Sequence, residues 1–166
     1  MKRNSTLFTS LILVLTYSLV FSACDDNVRR KGDWTVNPVS KTIIPGFNFE
    51  NGADISYLIK YDPGFFSEID DFIILDIYPV ESLSFKGFKL SFGGIDVSGL
   101  MTYADDEGTV TFTLENTALL ESNKEVVLRV TFTIVSVENE ILNSAEVFVN
   151  KELAGSDSDL FRVMVL

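Results

Sequence analysis

The side chains able to do chemistry in this chain are few in kind. One cysteine, Cys24, and no histidine occur among 166 residues. Without histidine there is no Ser-His-Asp or Cys-His nucleophile and no histidine-ligated zinc. Acid–base work would fall to carboxylates, lysines or tyrosines. Acids are abundant: 24 Asp and Glu stand against 13 Lys and Arg, for a formal charge of −11. They gather in three places: Asp70 with Asp71, Asp105 with Asp106 and Glu107, and Asp157 with Asp159 around Ser158. Calcium takes about six to eight oxygen ligands, and neighbouring acids on a turn supply several. Asp105, Asp106 and Glu107, followed by Gly108, are therefore the candidate metal ligands, for calcium. The twelve-residue EF-hand pattern is missing, and solvated turn residues are the plain alternative. Two carboxylates across a cleft would instead make a glycan-active enzyme.

Cys24 points to different chemistry. Lys2 and Arg3 precede an apolar stretch over residues 7–21, and Ser22 and Ala23 are small. The stretch is roughly 15 residues, whereas a membrane-spanning helix needs about 20. The residues alone leave open a transmembrane anchor and a cleaved secretory signal with a free thiol. Phe21-Ser22-Ala23-Cys24 resembles the lipobox of bacterial lipoprotein signals, with Phe21 where Leu is usual. The resemblance covers about the first 25 residues. It implies that residues 1–23 are removed, that Cys24 receives a diacylglyceryl thioether, and that the new amino terminus is acylated, palmitate being the type of chain. Two or more chains anchor stably, at about 0.8 kcal/mol per buried methylene. A lone cysteine then needs no disulfide partner. Asp25 and Asp26 resemble lipoprotein sorting signals. The expected location is the bacterial outer membrane or cell surface, with a periplasmic placement as the alternative. Residues 24–33 read as a polar tether, in which Arg29, Arg30 and Lys31 could rest on anionic headgroups.

Removing residues 1–23 takes away two basic residues and no acid, so the remaining chain is more acidic still. Such a surface repels nucleic acid. The remaining length suits one domain with a single core. There is no glycine-rich phosphate loop and no internal repeat.

Residues 34–166 read as that domain, starting at the sole tryptophan, Trp34. Pro38 and Pro45 mark edge or loop positions. Residues 53–61 alternate, with Ile55, Tyr57, Ile59 and Tyr61 on one face, as a half-buried strand does. Residues 65–71 suggest one helical turn capped by Ser67. Residues 72–78 are a near-continuous apolar run with β-branching, a central strand in which Asp76 must be turned outward or paired. Residues 85–92 form a strand that Gly93 and Gly94 turn into residues 95–97. Residues 100–103 and 109–114 flank the acidic turn as a hairpin. Residues 116–121 form a helical turn bridging two sheets. Residues 126–137 are the longest strand; residues 145–150 and 160–166 supply the last two, with Asp157 to Asp159 in the loop before the final strand.

Many short strands at a spacing of roughly 8–12 residues predict an all-β, antiparallel, immunoglobulin-like β-sandwich. A small β-barrel is the alternative. Phe is mostly a core residue, so the 14 Phe argue for packing. Phe47, Phe49, Phe65 and Phe66 lie nearest to loops and would mark a partner surface if exposed. The expected function is a lipid-anchored, non-catalytic domain that binds a protein or glycan partner, in adhesion or a nutrient-uptake assembly. The alternatives are the carboxylate-based enzyme and a purely structural subunit.

Overall fold

The computed structural model describes residues 37–45, 50–65, 69–122, 124–137 and 140–162. All of these fall in one compact unit, Val36–Leu166. The signal, Cys24, the tether, Trp34, Phe47, Phe49, Phe66 and Ser67 lie outside the described residues.

Alternation of apolar and polar residues generates the strands. β1 (Val39–Ile43), β2 (Asp54–Tyr61), β3 (Phe72–Ile77), β4 (Leu83–Phe92) and β5 (Ile95–Asp96) come first. β6 (Met101–Asp106), β7 (Thr109–Leu114), β8 (Val126–Ile134), β9 (Glu140–Val149) and β10 (Glu152–Arg162) follow. One sheet has the order β1-β2-β8-β4-β5 and the other β10-β9-β3-β7-β6. Every pairing is antiparallel. The predicted sandwich is therefore present.

Period-two alternation turns Ile55, Tyr57, Ile59 and Tyr61 of β2 inward, together with Val126, Leu128, Val130, Phe132 and Ile134 of β8. Phe72, Ile74, Val110, Phe112, Val147 and Val149 face them from the second sheet. Tyr57 meets Phe132 edge to face at 6.1 Å between centroids, a geometry aromatic pairs favour. Phe72, Phe112 and Phe132 are fully buried, in keeping with phenylalanine as packing material.

The barrel alternative fails at the seam between β1 and β10. These strands sit at corresponding edges of the two sheets but are joined by side chains: Asp157 and Asp159 of β10 accept from the backbone N–H groups of Lys41 and Ile43. Among the described residues no backbone ladder crosses the seam, so two sheets persist.

Three further expectations shift. The final strand begins at Glu152, so Asp157 to Asp159 lie inside β10 and not in a loop. β9 begins at Glu140, five residues earlier than expected. The turn between β6 and β7 shrinks to Glu107 and Gly108, both at positive φ, leaving Asp105 and Asp106 in the ladder of β6. A two-residue turn with both residues at positive φ matches the twist of the flanking strands. The bridging turn after β7 is a 3-10 segment, Thr117–Ser122, which carries the chain from one sheet to the other.

Candidate functional site

Three polar side chains occupy inward slots that alternation reserves for apolar residues. Lys41 lies between Val39 and Ile43 on β1 and is 2% exposed. Asp76 follows Phe72 and Ile74 on the inner face of β3, and Asn143 lies between Ile141 and Ala145 on β9; both are 0% exposed. Asp76 faces Ala145 across the β3–β9 ladder, which puts Asn143 two residues away on the same face. β1 then brings Lys41 over from the opposite sheet.

Lys41 Nζ lies 2.7 Å from Asp76 Oδ1 and 2.6 Å from Asn143 Oδ1. It also donates to the Ser144 carbonyl at 3.1 Å. The Tyr57 ring centroid is 5.2 Å from Nζ. Among the described residues, Asp76 Oδ2 and Asn143 Nδ2 are buried and have no hydrogen-bond partner. Buried polar atoms without partners are uncommon and call for a reason.

Burial shifts both members of the pair toward their neutral forms. Desolvation holds the Lys41 amine below the usual lysine range, and the Asp76 charge opposes this only in part. Desolvation likewise pushes Asp76 above the usual carboxylate range, against the pull of Lys41 and a weaker one from the Asn143 amide. That weaker pull acts without Nδ2 meeting hydrogen-bond geometry. Both shifts favour a neutral amine beside a neutral carboxylic acid, because the interior penalises the charged forms. The Tyr57 hydroxyl is pushed up by burial and by the charges of Asp159 and Asp76.

A neutral primary amine is a nucleophile. Here Lys41 Nζ lies against the oxygen of a primary carboxamide, with the Asp76 carboxyl group alongside. These are the components of an amine–amide exchange, held in position and screened from water. Asp76 and Asn143 have no exposed surface, so the groups nearest to hand are those of the chain itself.

Two of the acidic clusters that stand out in the sequence make hydrogen bonds within the second sheet and its loops. Asp105 accepts from the Tyr78 hydroxyl at 2.9 Å, and Asp105, Asp106 and Glu107 are all exposed. Among the described residues no group of three or more acids, histidines or cysteines is placed to hold a metal ion. The backbone N–H groups of Asp70 and Asp71 donate to Asn150 Oδ1. The exposed pairs Lys60–Glu125, Lys86–Asp54 and Lys89–Asp96 are of a kind worth about 0–1 kcal/mol each.

Sequence reasoning singled out Asp76 as turned outward or paired, and it is paired. It did not find Lys41 or Asn143. Their signal is a Lys in the second inward slot of Val39-x-Lys41-x-Ile43, and an Asn in the second inward slot of Ile141-x-Asn143-x-Ala145-x-Val147.

No family model matches the sequence, and no curated protein matches it. Solved structures do resemble the fold. The N-terminal domain of the Streptococcus gordonii adhesin Sgo0707 superposes with a TM-score of 0.65 at 14% identity. That match covers 76% of this chain and 32% of the other. BcpA, the major pilin subunit of Bacillus cereus, gives 0.55 at 20% identity, over 75% of this chain and 40% of the pilin. The Corynebacterium diphtheriae major pilin SpaA, whose structure points to a modular pilus assembly with stabilizing isopeptide bonds, gives 0.55 at 17%, over 66% and 31%. The chain thus spans about a third of the length of the first of these and less than half of the two pilins. Among the described residues no helix is long and apolar enough to cross a membrane.

Proposed function

We propose that this protein is a lipid-anchored, non-catalytic surface module that reinforces itself with an internal amide bond between Lys41 and Asn143. The observation that carries the reading is the buried cluster of Lys41, Asp76 and Asn143. The likeness of the fold to adhesin and pilin domains, one of them from a pilin with stabilizing isopeptide bonds, supports a role in adhesion or in a surface assembly. Cys24 is the proposed lipid acceptor.

The reaction balances within the chain. The lone pair of neutral Lys41 Nζ attacks Asn143 Cγ, and protonated Asp76 stabilises the developing charge on Oδ1. The C–N bond to Nδ2 then breaks. Asp76 delivers its proton to the departing nitrogen and recovers one from Nζ. A lysine amine and an asparagine amide become one secondary amide and one ammonia, with no oxidant or cofactor. The two atoms without partners, Asp76 Oδ2 and Asn143 Nδ2, are the acid and the leaving group of this reaction.

Mass spectrometry of the purified protein tests the reading. The intact chain should be one ammonia lighter than its sequence after allowance for lipid and for removal of residues 1–23, and tryptic digestion should fail at Lys41 and yield a branched peptide joining Lys41 to Asn143. Lys41→Ala should restore the full mass. A wild-type chain at full mass, cleaved normally at Lys41, would rule the bond out.

A further inference from the structure

β1 has one strand neighbour, β2, so half of its backbone N–H groups point away from the sheet. Those of Val39, Lys41 and Ile43 are all satisfied by side chains. Val39 N donates to Asn37 Oδ1 at 3.2 Å, Lys41 N to Asp157 Oδ2 at 2.7 Å, and Ile43 N to Asp159 Oδ2 at 2.5 Å. Asn37 Nδ2 in turn reaches the Ser156 carbonyl at 2.7 Å. The acceptors for Lys41 and Ile43 come from alternate residues of β10, with Ser158 turned out to solvent between them. Gly155 continues the same face: a methyl group there would lie 2.9 Å from Val39 Cγ2.

This arrangement bears on the proposed bond. A five-residue edge strand with a lysine turned inward has weak reason to keep its register, since burying the amine is costly. A slip of one residue would turn Lys41 to solvent and carry Ser40 or Thr42 inward. We infer that Asp157 and Asp159 are positioning residues for the Lys41–Asn143 bond, clamping β1 by its free edge in the one register that delivers the amine to the cluster. The inference rests on the crosslinking reading above. The clamp also carries charge: besides Asp76 on β3, Asp157 and Asp159 are the acids that face Lys41, and Tyr57 on β2 is the remaining titratable neighbour. Their negative charges hold the proton on Lys41 and work against its nucleophilic form.

Position and charge separate experimentally. Full-length chain, freshly translated in vitro, is followed by intact mass for ammonia loss between pH 6 and pH 10, about the range spanned by a depressed lysine. Asp157→Ala with Asp159→Ala removes both acceptors and should slow bond formation at least about tenfold, the worth of one lost charged hydrogen bond. Asp157→Asn with Asp159→Asn keeps an acceptor oxygen at each position and removes the charge. It should form the bond at close to the wild-type rate or faster, with its pH–rate profile moved to lower pH. A purely structural role would lower folded yield in both pairs and leave the profile in place. If the wild type forms the bond, an alanine pair as fast as wild type, or an asparagine pair with an unshifted profile, overturns the clamp and leaves the crosslink standing. If the wild type never loses ammonia, the crosslink falls and the clamp with it.

Discussion

Replacing Asn143 with alanine removes the electrophile and keeps the Lys41–Asp76 pair. The loss is that of the crosslink. The amide closes a loop between residues 102 apart in sequence, and chain entropy assigns about 4.7 kcal/mol to closing a loop of that order. The amine freed in the variant is not orphaned, because Asp76 and the Ser144 carbonyl remain. The loss is a large share of the roughly 5–15 kcal/mol typical of a domain. For a chain of this size it corresponds to a fall in Tm of about 15 °C. Guanidinium and thermal unfolding, followed by near-ultraviolet circular dichroism, measure it. The denaturant slope should also rise in the variant, because its unfolded chain is no longer cinched and exposes more surface. A wild type that is one ammonia light, yet melts within about 5 °C of Asn143→Ala, would refute the loop-closure reasoning. A slope unchanged between the two would refute it independently.

Asp76→Asn keeps the amine and the amide but removes the proton carrier, so mass spectrometry should find the chain at full mass with Lys41 open to trypsin. Lys41→Met leaves Asp76 buried without the hydrogen bond from Nζ, so the carboxyl, already above its ordinary 3.8, rises further. The folded state then keeps a proton that the unfolded state releases. Denaturant midpoints for Lys41→Met should be flat below about pH 4 and fall as pH rises through the raised folded value; adding Asp76→Leu should abolish the slope, and a stability that rises with pH would contradict the assignment. Tyr57→Phe deletes a buried hydroxyl that has no partner, so stability should be unchanged or raised by up to about 1 kcal/mol; a loss beyond about 2 kcal/mol would mean the hydroxyl is satisfied.

How much of this could be read beforehand depended on distance along the chain. The inward set Ile55, Tyr57, Ile59 and Tyr61 was legible because alternation is local, and so was the hairpin closed by Gly108. Asp76 drew notice because a carboxylate inside an apolar run needs a partner. The partners were hidden for two reasons. β1 is five residues long, too short for its pattern to stand out, and Lys41 in its middle slot looks like a solvated residue. In the first half of β9, where Asn143 lies, the polar residues Glu140, Asn143 and Ser144 break up the apolar alternation. Nothing in the spacing of positions 41, 76 and 143 reveals that three strands from two sheets converge, since register between distant strands is a tertiary property. Asp157 and Asp159 looked like loop acids for the same reason: their function is to complete the backbone of a strand more than a hundred positions away.

The proposed covalent tie between the first strand and the ninth has a mechanical meaning. Tension applied between the tether and any point beyond Asn143 would enter at Lys41, cross the amide and leave through β9. The 102-residue step between them, about 350 Å of contour if drawn out straight, would lie off the line of force. Under load such a module would behave as a link of fixed length rather than as a spring that unravels, and the strands between its two fastened ends would keep their shape while the chain on either side was stretched taut.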